Sequence, residues 1–255
     1  MSAYTILITG AASGIGLGIA EHLGDLGHKL ILADLNIDAA RASAEKLKAN
    51  GVAASAISLN VADMSQIARL DELTGGANID VLINNAGIQH VSKLEDFPAD
   101  KWQQLINVML VGPAMLTQAV LPGMKQRNFG RIINVGSIHS LVASPFKSAY
   151  VAAKHGLLGF SKVLALETGE FNITTNTLCP SYVKTPLVEQ QIAAQAKENN
   201  MSEQDVVNKI MLEPMPKKSF IGLDELAGTA AFLLTDAAKN ITGQTMVLDG
   251  GWVAR

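Results

Sequence analysis

Short runs of Ile, Val and Leu, apolar on both faces, alternate along the chain with longer stretches whose apolar residues recur at helical spacing. Seven such runs occur: Tyr4–Gly10, His28–Leu35, Val52–Leu59, Asn78–Gly87, Gly130–Ser137, Ile173–Pro180 and Thr242–Gly251. A strand apolar on both faces must be covered on both, and parallel neighbours need long crossovers, so the pattern predicts a parallel sheet with helices between its strands. The expected fold is α/β, a doubly wound parallel seven-stranded sheet with helices on both faces. No low-complexity linker or internal repeat interrupts the alternation, and residues 1–255 read as a single domain. The one break is Thr185–Phe220, rich in Gln, Asn and Lys, between the sixth strand and the last helix. Its position predicts a small helical lid over about 185–220.

Composition narrows the function classes. The 255 residues are 48% hydrophobic and 17% charged, enough to bury a sizeable core, and the net charge of -3 comes without a run of like charges. That excludes an electrostatic footprint for nucleic acid or an anionic membrane, so any anionic ligand must be held locally. Cys179 stands alone, which excludes an internal disulfide and a multi-cysteine metal site and fits a reducing compartment. The opening Met-Ser-Ala-Tyr-Thr-Ile-Leu-Ile-Thr-Gly lacks a basic or long apolar leader, and no uncharged apolar window of about 18 residues is evident, so the expected location is cytoplasmic. His22, His28, His90 and His155 show no ligand spacing, and no metal is expected.

The first strand runs into Gly10, Gly14 and Gly16, then into a helix with Ile15, Ile19, Ala20 and Leu23 at 3.6-residue spacing. A helix N-terminus offers unpaired N–H groups and a partial positive charge, and glycines let a pyrophosphate approach the backbone. The sheet is therefore Rossmann-like, with its anion site at this turn. Asp34 ends the second strand eighteen residues after Gly16. A carboxylate there can accept both hydroxyls of an adenosine ribose and would repel a 2′-phosphate, which favours NAD over NADP.

Gly-x-x-x-Gly-x-Gly after strand one, Asn-Asn-Ala-Gly after strand four, and Ser137 followed thirteen residues later by Tyr150-x-x-x-Lys154 closely resemble the short-chain dehydrogenase/reductase family over essentially the whole chain. The resemblance implies that Gly10, Ser13, Gly14, Ile15 and Gly16 cradle a dinucleotide, with Asp34 and Leu35 at the adenosine ribose. It places Asn60 and Val61 beside the adenine and Asn85, Ala86 and Gly87 along the cofactor. Val183 and Thr185 would hold the nicotinamide amide, and Lys154 with Tyr150 the nicotinamide ribose.

Tyr150 and Lys154, four apart on a helix, are separated by about 40° of rotation and roughly 6 Å of rise, so both face one ligand. A free phenol with pKa of about 10 is a poor base near neutrality, and a neighbouring cation is expected to lower it. Ser137, at a strand end, is expected to fix the alcohol oxygen while Tyr150 exchanges its proton.

His139 and Lys147 flank this set, and Gln89 follows Asn-Asn-Ala-Gly-Ile directly. A lysine with neutral amide and imidazole donors is what a small carboxylate needs to be desolvated without remaining unpaired. Within the family the segments are similar to those of members that interconvert (R)-3-hydroxybutyrate and acetoacetate. That likeness implies carboxylate contacts from Gln89, His139, Lys147 and Gln191, with Trp252 closing the site from a neighbouring subunit of a homotetramer. A 3-oxoacyl thioester or other ketone as substrate, and a non-catalytic NAD-binding regulatory protein, are the alternatives. Two departures stand out. Met109 occupies the place of the family's helix asparagine, and Asn107, about 200° away around a helix, cannot replace it. Ser181 stands where Pro-Gly is common, and is expected to be strained if that turn needs positive φ.

Overall fold

The computed structural model describes residues 3–254. Its strands are β1 (Thr5–Thr9), β2 (Lys29–Asp34), β3 (Ala54–Ser58), β4 (Val81–Asn84), β5 (Gly130–Val135), β6 (Ile173–Pro180) and β7 (Thr245–Leu248). All pair in parallel in the order β3-β2-β1-β4-β5-β6-β7. The chain winds from β1 out to β3, then returns and winds the other way from β4 to β7. The reversal opens a crevice at the carboxyl ends of β1 and β4, where an α/β sheet binds its ligands.

The helices are α1 (Gly14–Asp25), α2 (Ile37–Ala49), α3 (Met64–Ala68), α4 (Leu70–Leu73), α5 (Ala99–Ile106), α6 (Gly112–Gln126), α7 (Ser148–Glu167), α8 (Pro186–Glu198), α9 (Glu203–Val206) and α10 (Leu223–Leu233). Alternate strand residues serve opposite layers. Ile6 and Ile8 pack with Ile19 and Leu23 of α1 and Leu226 and Leu233 of α10. Leu7, Leu82 and Ile132 pack with Leu116, Val120 and Met124 of α6 and Leu164 of α7. Each such side chain contributes about 1.5–3 kcal/mol by leaving water, which is why both faces of this sheet are apolar.

A π turn, Asn107–Val111, joins α5 to α6, making Ala99–Gln126 one helix. Its most apolar window has mean hydropathy 1.6, long and apolar enough to cross a membrane by length and composition. This corrects the expectation that no stretch has that character. In the fold, 44% of the window is buried, with Leu116, Val120 and Met124 against the sheet.

The insert expected between the sixth strand and the last helix is helical. It comprises α8, α9 and a second π turn, Val207–Met211. Ile192, Val206 and Met211 form its small core against Tyr182 and Phe220. Ser181 is not strained: the non-glycine residues with positive φ among those described are Asn128, Phe146, Asn200 and Lys218. The Ser181 N–H donates to the Leu248 carbonyl at 2.9 Å, prolonging the pairing of β6 with β7.

At the far end of the sheet Tyr4 stacks between His28 (5.3 Å between ring centres) and Phe129 (4.9 Å), with the Arg131 guanidinium 4.6 Å over Phe129. His28, which has no legible role in the sequence, is 3% exposed and accepts the Tyr4 N–H on Nδ1 at 3.2 Å. Burial lowers its pKa from 6.5, and protonation would remove the acceptor. Because the folded value lies below the unfolded one, the stabilisation is complete above pH 6.5 and is lost as pH falls below it. We expect His28→Phe to flatten the acid-side decline of stability, measured as urea midpoints across pH. Parallel declines in the two proteins would refute the role of His28.

Candidate active site

The ends of β1, β2, β4, β5 and β6, together with α7, deliver the functional side chains to the crevice. Gly10 follows β1 at φ +63°, and a Cβ on it would lie 2.9 Å from the Ala86 Cα. A Cβ on Gly16 would overlap the Gly10 carbonyl and the Asn85 amide. Only glycine fits either place. Ser13 caps α1 in an extended conformation without a side-chain bond, and the first turn of α1 holds no acid. The helix therefore presents free N–H groups and uncancelled positive charge, a cradle suited to a dinucleotide's phosphates. Ile15 and Thr185 line the adjoining cavity, and the Thr185 methyl lies 3.7 Å from where a Cβ on Gly14 would be.

The Asn85 amide donates to the Thr9 and Gly10 carbonyls at 2.9 and 3.0 Å, tying the end of β4 to the turn. Asp34 accepts the Ala12 N–H (3.0 Å) and the Asn36 N–H (2.9 Å), so it also braces the glycine turn. Each carboxylate oxygen keeps a second lone pair for a ligand hydroxyl. Leu35 beside it is 73% exposed. Asn60 accepts the Ala62 N–H, while Val61 is buried in the core layer beneath α6. Val183 is buried, bridging to Ile221, and the Thr185 hydroxyl accepts the Val188 N–H at the start of α8.

Ser137 ends β5 and caps the short turn Ile138–Ser140, its hydroxyl accepting the His139 N–H at 3.1 Å and its own N–H donating to the Ser140 hydroxyl. Tyr150 and Lys154 reach the same place from α7. The Lys154 ammonium, 4% exposed, donates to the Val135 carbonyl at 2.6 Å and lies 5.7 Å from the Tyr150 ring centre. Burial pushes its pKa down to about 8. The expected lysine-lowered phenol is corrected for the chain by itself. Burial pushes the Tyr150 pKa up, and the group pulling it back is the Ser137 hydroxyl. Desolvating a phenolate costs more here than a cation committed to a backbone carbonyl returns.

A cavity of about 130 Å³ brings together Gln89, Ser137, His139, Lys147, Tyr150 and Gln191. It is close to the roughly 150 Å³ of a cavity that admits benzene. The Gln89 side-chain oxygen accepts the His90 N–H at 3.1 Å, which leaves its NH₂ for a ligand. His139 Nε2 lies 3.3 Å from the Ser144 hydroxyl and 3.4 Å from the Lys147 ammonium. Burial, then the Lys147 charge, push the His139 pKa down to about 4, so the imidazole is neutral. Burial also lowers the pKa of Lys147, and no carboxylate within the described residues pairs with it.

Trp252 packs edge-on to His139 (6.0 Å) and stacks on Tyr182 (6.2 Å) within its own chain. Within the chain the turn after β7 folds back toward the crevice, with Asp249 accepting the Gly251 and Val253 N–H groups. Sequence reasoning missed Tyr182, whose ring lines the cavity 6.0 Å from the Lys147 nitrogen. Its position between Ser181 and Val183 was the available signal. His155 is exposed and bonds the Val151 carbonyl, and His90 packs edge-on to Phe97, both outside the site.

Residues 4–196 match the family model described as short chain dehydrogenase. The chain belongs to the short-chain dehydrogenase family. It is 44% identical to a D-beta-hydroxybutyrate dehydrogenase of Cupriavidus necator, with all of both chains covered. It is 42% identical to a D-beta-hydroxybutyrate dehydrogenase of Rhizobium meliloti, with 98% of this chain and 99% of that one covered. Among solved structures it is similar to an actinorhodin polyketide ketoreductase crystallised with NADPH, at a TM-score of 0.92 and 29% identity, over 98% of this chain and 97% of that one. Short-chain dehydrogenases are oxidoreductases that bind a nicotinamide cofactor, NAD or NADP.

Against that family pattern, Met109 is 1% exposed and packs with Leu105, Ala149, Ala153 and Tyr150. Asn107 does not take over from it, since its side-chain oxygen accepts the Gln103 amide at 2.9 Å on the outer side of the helix. The chain thus has a thioether, a weak acceptor, where the family resemblance led to the expectation of an amide.

In Lys147→Met the His139 pKa should rise from about 4 but stay below 6.5, because burial, the larger cause, remains. An NMR titration of the imidazole measures this, and an unmoved midpoint would show that His139 does not feel the Lys147 charge.

Proposed function

We propose that this short-chain dehydrogenase interconverts (R)-3-hydroxybutyrate and acetoacetate with NAD. The observation that carries the reading is Lys147: a desolvated ammonium that no carboxylate among the described residues pairs with, facing the same cavity as Ser137 and Tyr150. A small acid whose carboxylate meets Lys147, the His139 imidazole and the Gln89 and Gln191 amides leaves none of those groups unpaired. A neutral ester or thioester would leave the Lys147 charge unanswered. The two relatives named D-beta-hydroxybutyrate dehydrogenase support the same substrate. NAD is favoured by Asp34, whose carboxylate can accept ribose hydroxyls and repels a 2′-phosphate.

The nicotinamide, when bound, supplies the hydride acceptor. Ser137 holds the alcohol oxygen, its hydroxyl fixed by the His139 N–H. Tyr150 takes the hydroxyl proton as the carbonyl forms, and returns it in reduction. Lys154, anchored by the Val135 carbonyl, supports the phenolate and the cofactor ribose. Gln191 rides on α8, so closure of the helical lid would add a donor to the carboxylate and expel water. The subunits would assemble as a homotetramer. Exposed Val163 and Leu166 on α7, and Phe232 and Val247 beside the sheet's β7 edge, are the apolar surfaces that further copies would cover.

Three measurements follow. Turnover with NAD should exceed turnover with NADP, and (R)-3-hydroxybutyrate should be oxidised at least about tenfold more efficiently than its methyl ester, a preference lost in Lys147→Ala. Equal use of acid and ester would remove the substrate assignment, and NADP preference the cofactor assignment. Sedimentation should give a mass of four chains, and a monomer would refute the assembly.

A further inference from the structure

Two of the carboxylate-facing groups lie on separate irregular segments. Gln89 belongs to the stretch after β4, and Lys147 to the stretch between Ser140 and α7. Neither stretch is held by strand or helix, yet the spacing of their polar tips decides whether one carboxylate can meet both. Among the described residues a single backbone hydrogen bond joins them: the Ser92 N–H donates to the Phe146 carbonyl at 2.9 Å.

Phe146 makes that bond from the left-handed region, at φ +66°. Two of the other three non-glycine residues there are asparagines, which tolerate the conformation, whereas a bulky aromatic is an outlier. Phe146 is 53% exposed, so burial of the residue does not compensate the strain. In a right-handed or extended conformation the peptide between Phe146 and Lys147 would turn, withdrawing the carbonyl from Ser92 and re-aiming Lys147, now 3.4 Å from His139 Nε2. Strain held in place beside a binding group is characteristic of ligand clamps.

We propose that Phe146 is a positioning residue: its left-handed backbone fastens the Gln89 segment to the Lys147 segment and so sets the bite of the carboxylate grip. The inference rests on the acid-binding role given to Lys147 above. It concerns the backbone of Phe146 and not its ring, and that separates it from a rim contact with substrate.

The test compares Phe146→Gly, which accepts positive φ freely, with Phe146→Val, whose branched side chain resists it. Phe146→Gly should keep the KM for (R)-3-hydroxybutyrate within about twofold and raise the melting temperature. Phe146→Val should raise that KM about fivefold or more, with kcat and the KM for NAD little changed. Should Phe146→Val fail to fold, Phe146→Thr, also branched at Cβ, should shift the KM in the same direction. An equal KM rise in Phe146→Gly, or a valine or threonine variant that loses stability with an unmoved KM, overturns the inference while leaving the acid assignment intact. Acid and methyl ester are run first on the unaltered enzyme, where an absent preference for the acid overturns the functional reading and this inference with it.

Discussion

Two desolvated ammonium groups, Lys154 and Lys147, set the terms for the whole crevice, because no carboxylate among the described residues pairs with either of them. An unpaired cation in a low-dielectric site is costly, and the fold meets that cost with neutral acceptors: a main-chain carbonyl for Lys154 and an imidazole for Lys147. Such acceptors hold an ammonium in place without cancelling its charge. The crevice is left with an electrostatic demand that anionic ligands satisfy, and with two groups that sit closer to deprotonation than an exposed lysine does.

Strands were the most legible part of the sequence, since a parallel strand buried on both faces leaves a run of Ile, Val and Leu that little else explains. The order Gly10–Gly16, Asp34, Asn85, Ser137, Tyr150, Lys154 could be read for the same reason: each sits at a strand end or one helical turn into a helix, places the alternation already fixes. What escaped depends on environment and not on residue type. Burial outweighs charge at the Tyr150 phenol, which spacing cannot show. Trp252 reaches its own cleft because Asp249 ties the last turn back on itself. Tyr182 and Phe146 carry no motif, and a phenylalanine gives no warning of a left-handed backbone.

Met109 sits where the family resemblance led to the expectation of an asparagine, and the fold accommodates it without disturbance. It fills its place between Leu105 and Ala153 well, being flexible and apolar. The carbonyl that fastens Lys154 can accept a hydrogen bond but cannot carry a proton onward.

The π turn at Asn107–Val111 has an outcome for how such chains are read. Leu105 before it and Met109 within it look toward α7; after it, Leu116, Val120 and Met124 look toward the sheet. One widened turn thus splices two amphipathic stripes of different azimuth into a single rod. Projected on one uninterrupted wheel, the stripes smear into a cylinder greasy on all sides, the very profile by which lipid-crossing segments are sought. The likeness to such a segment is one of length and composition, and α5 and α6 reach that length only because the widened turn joins them.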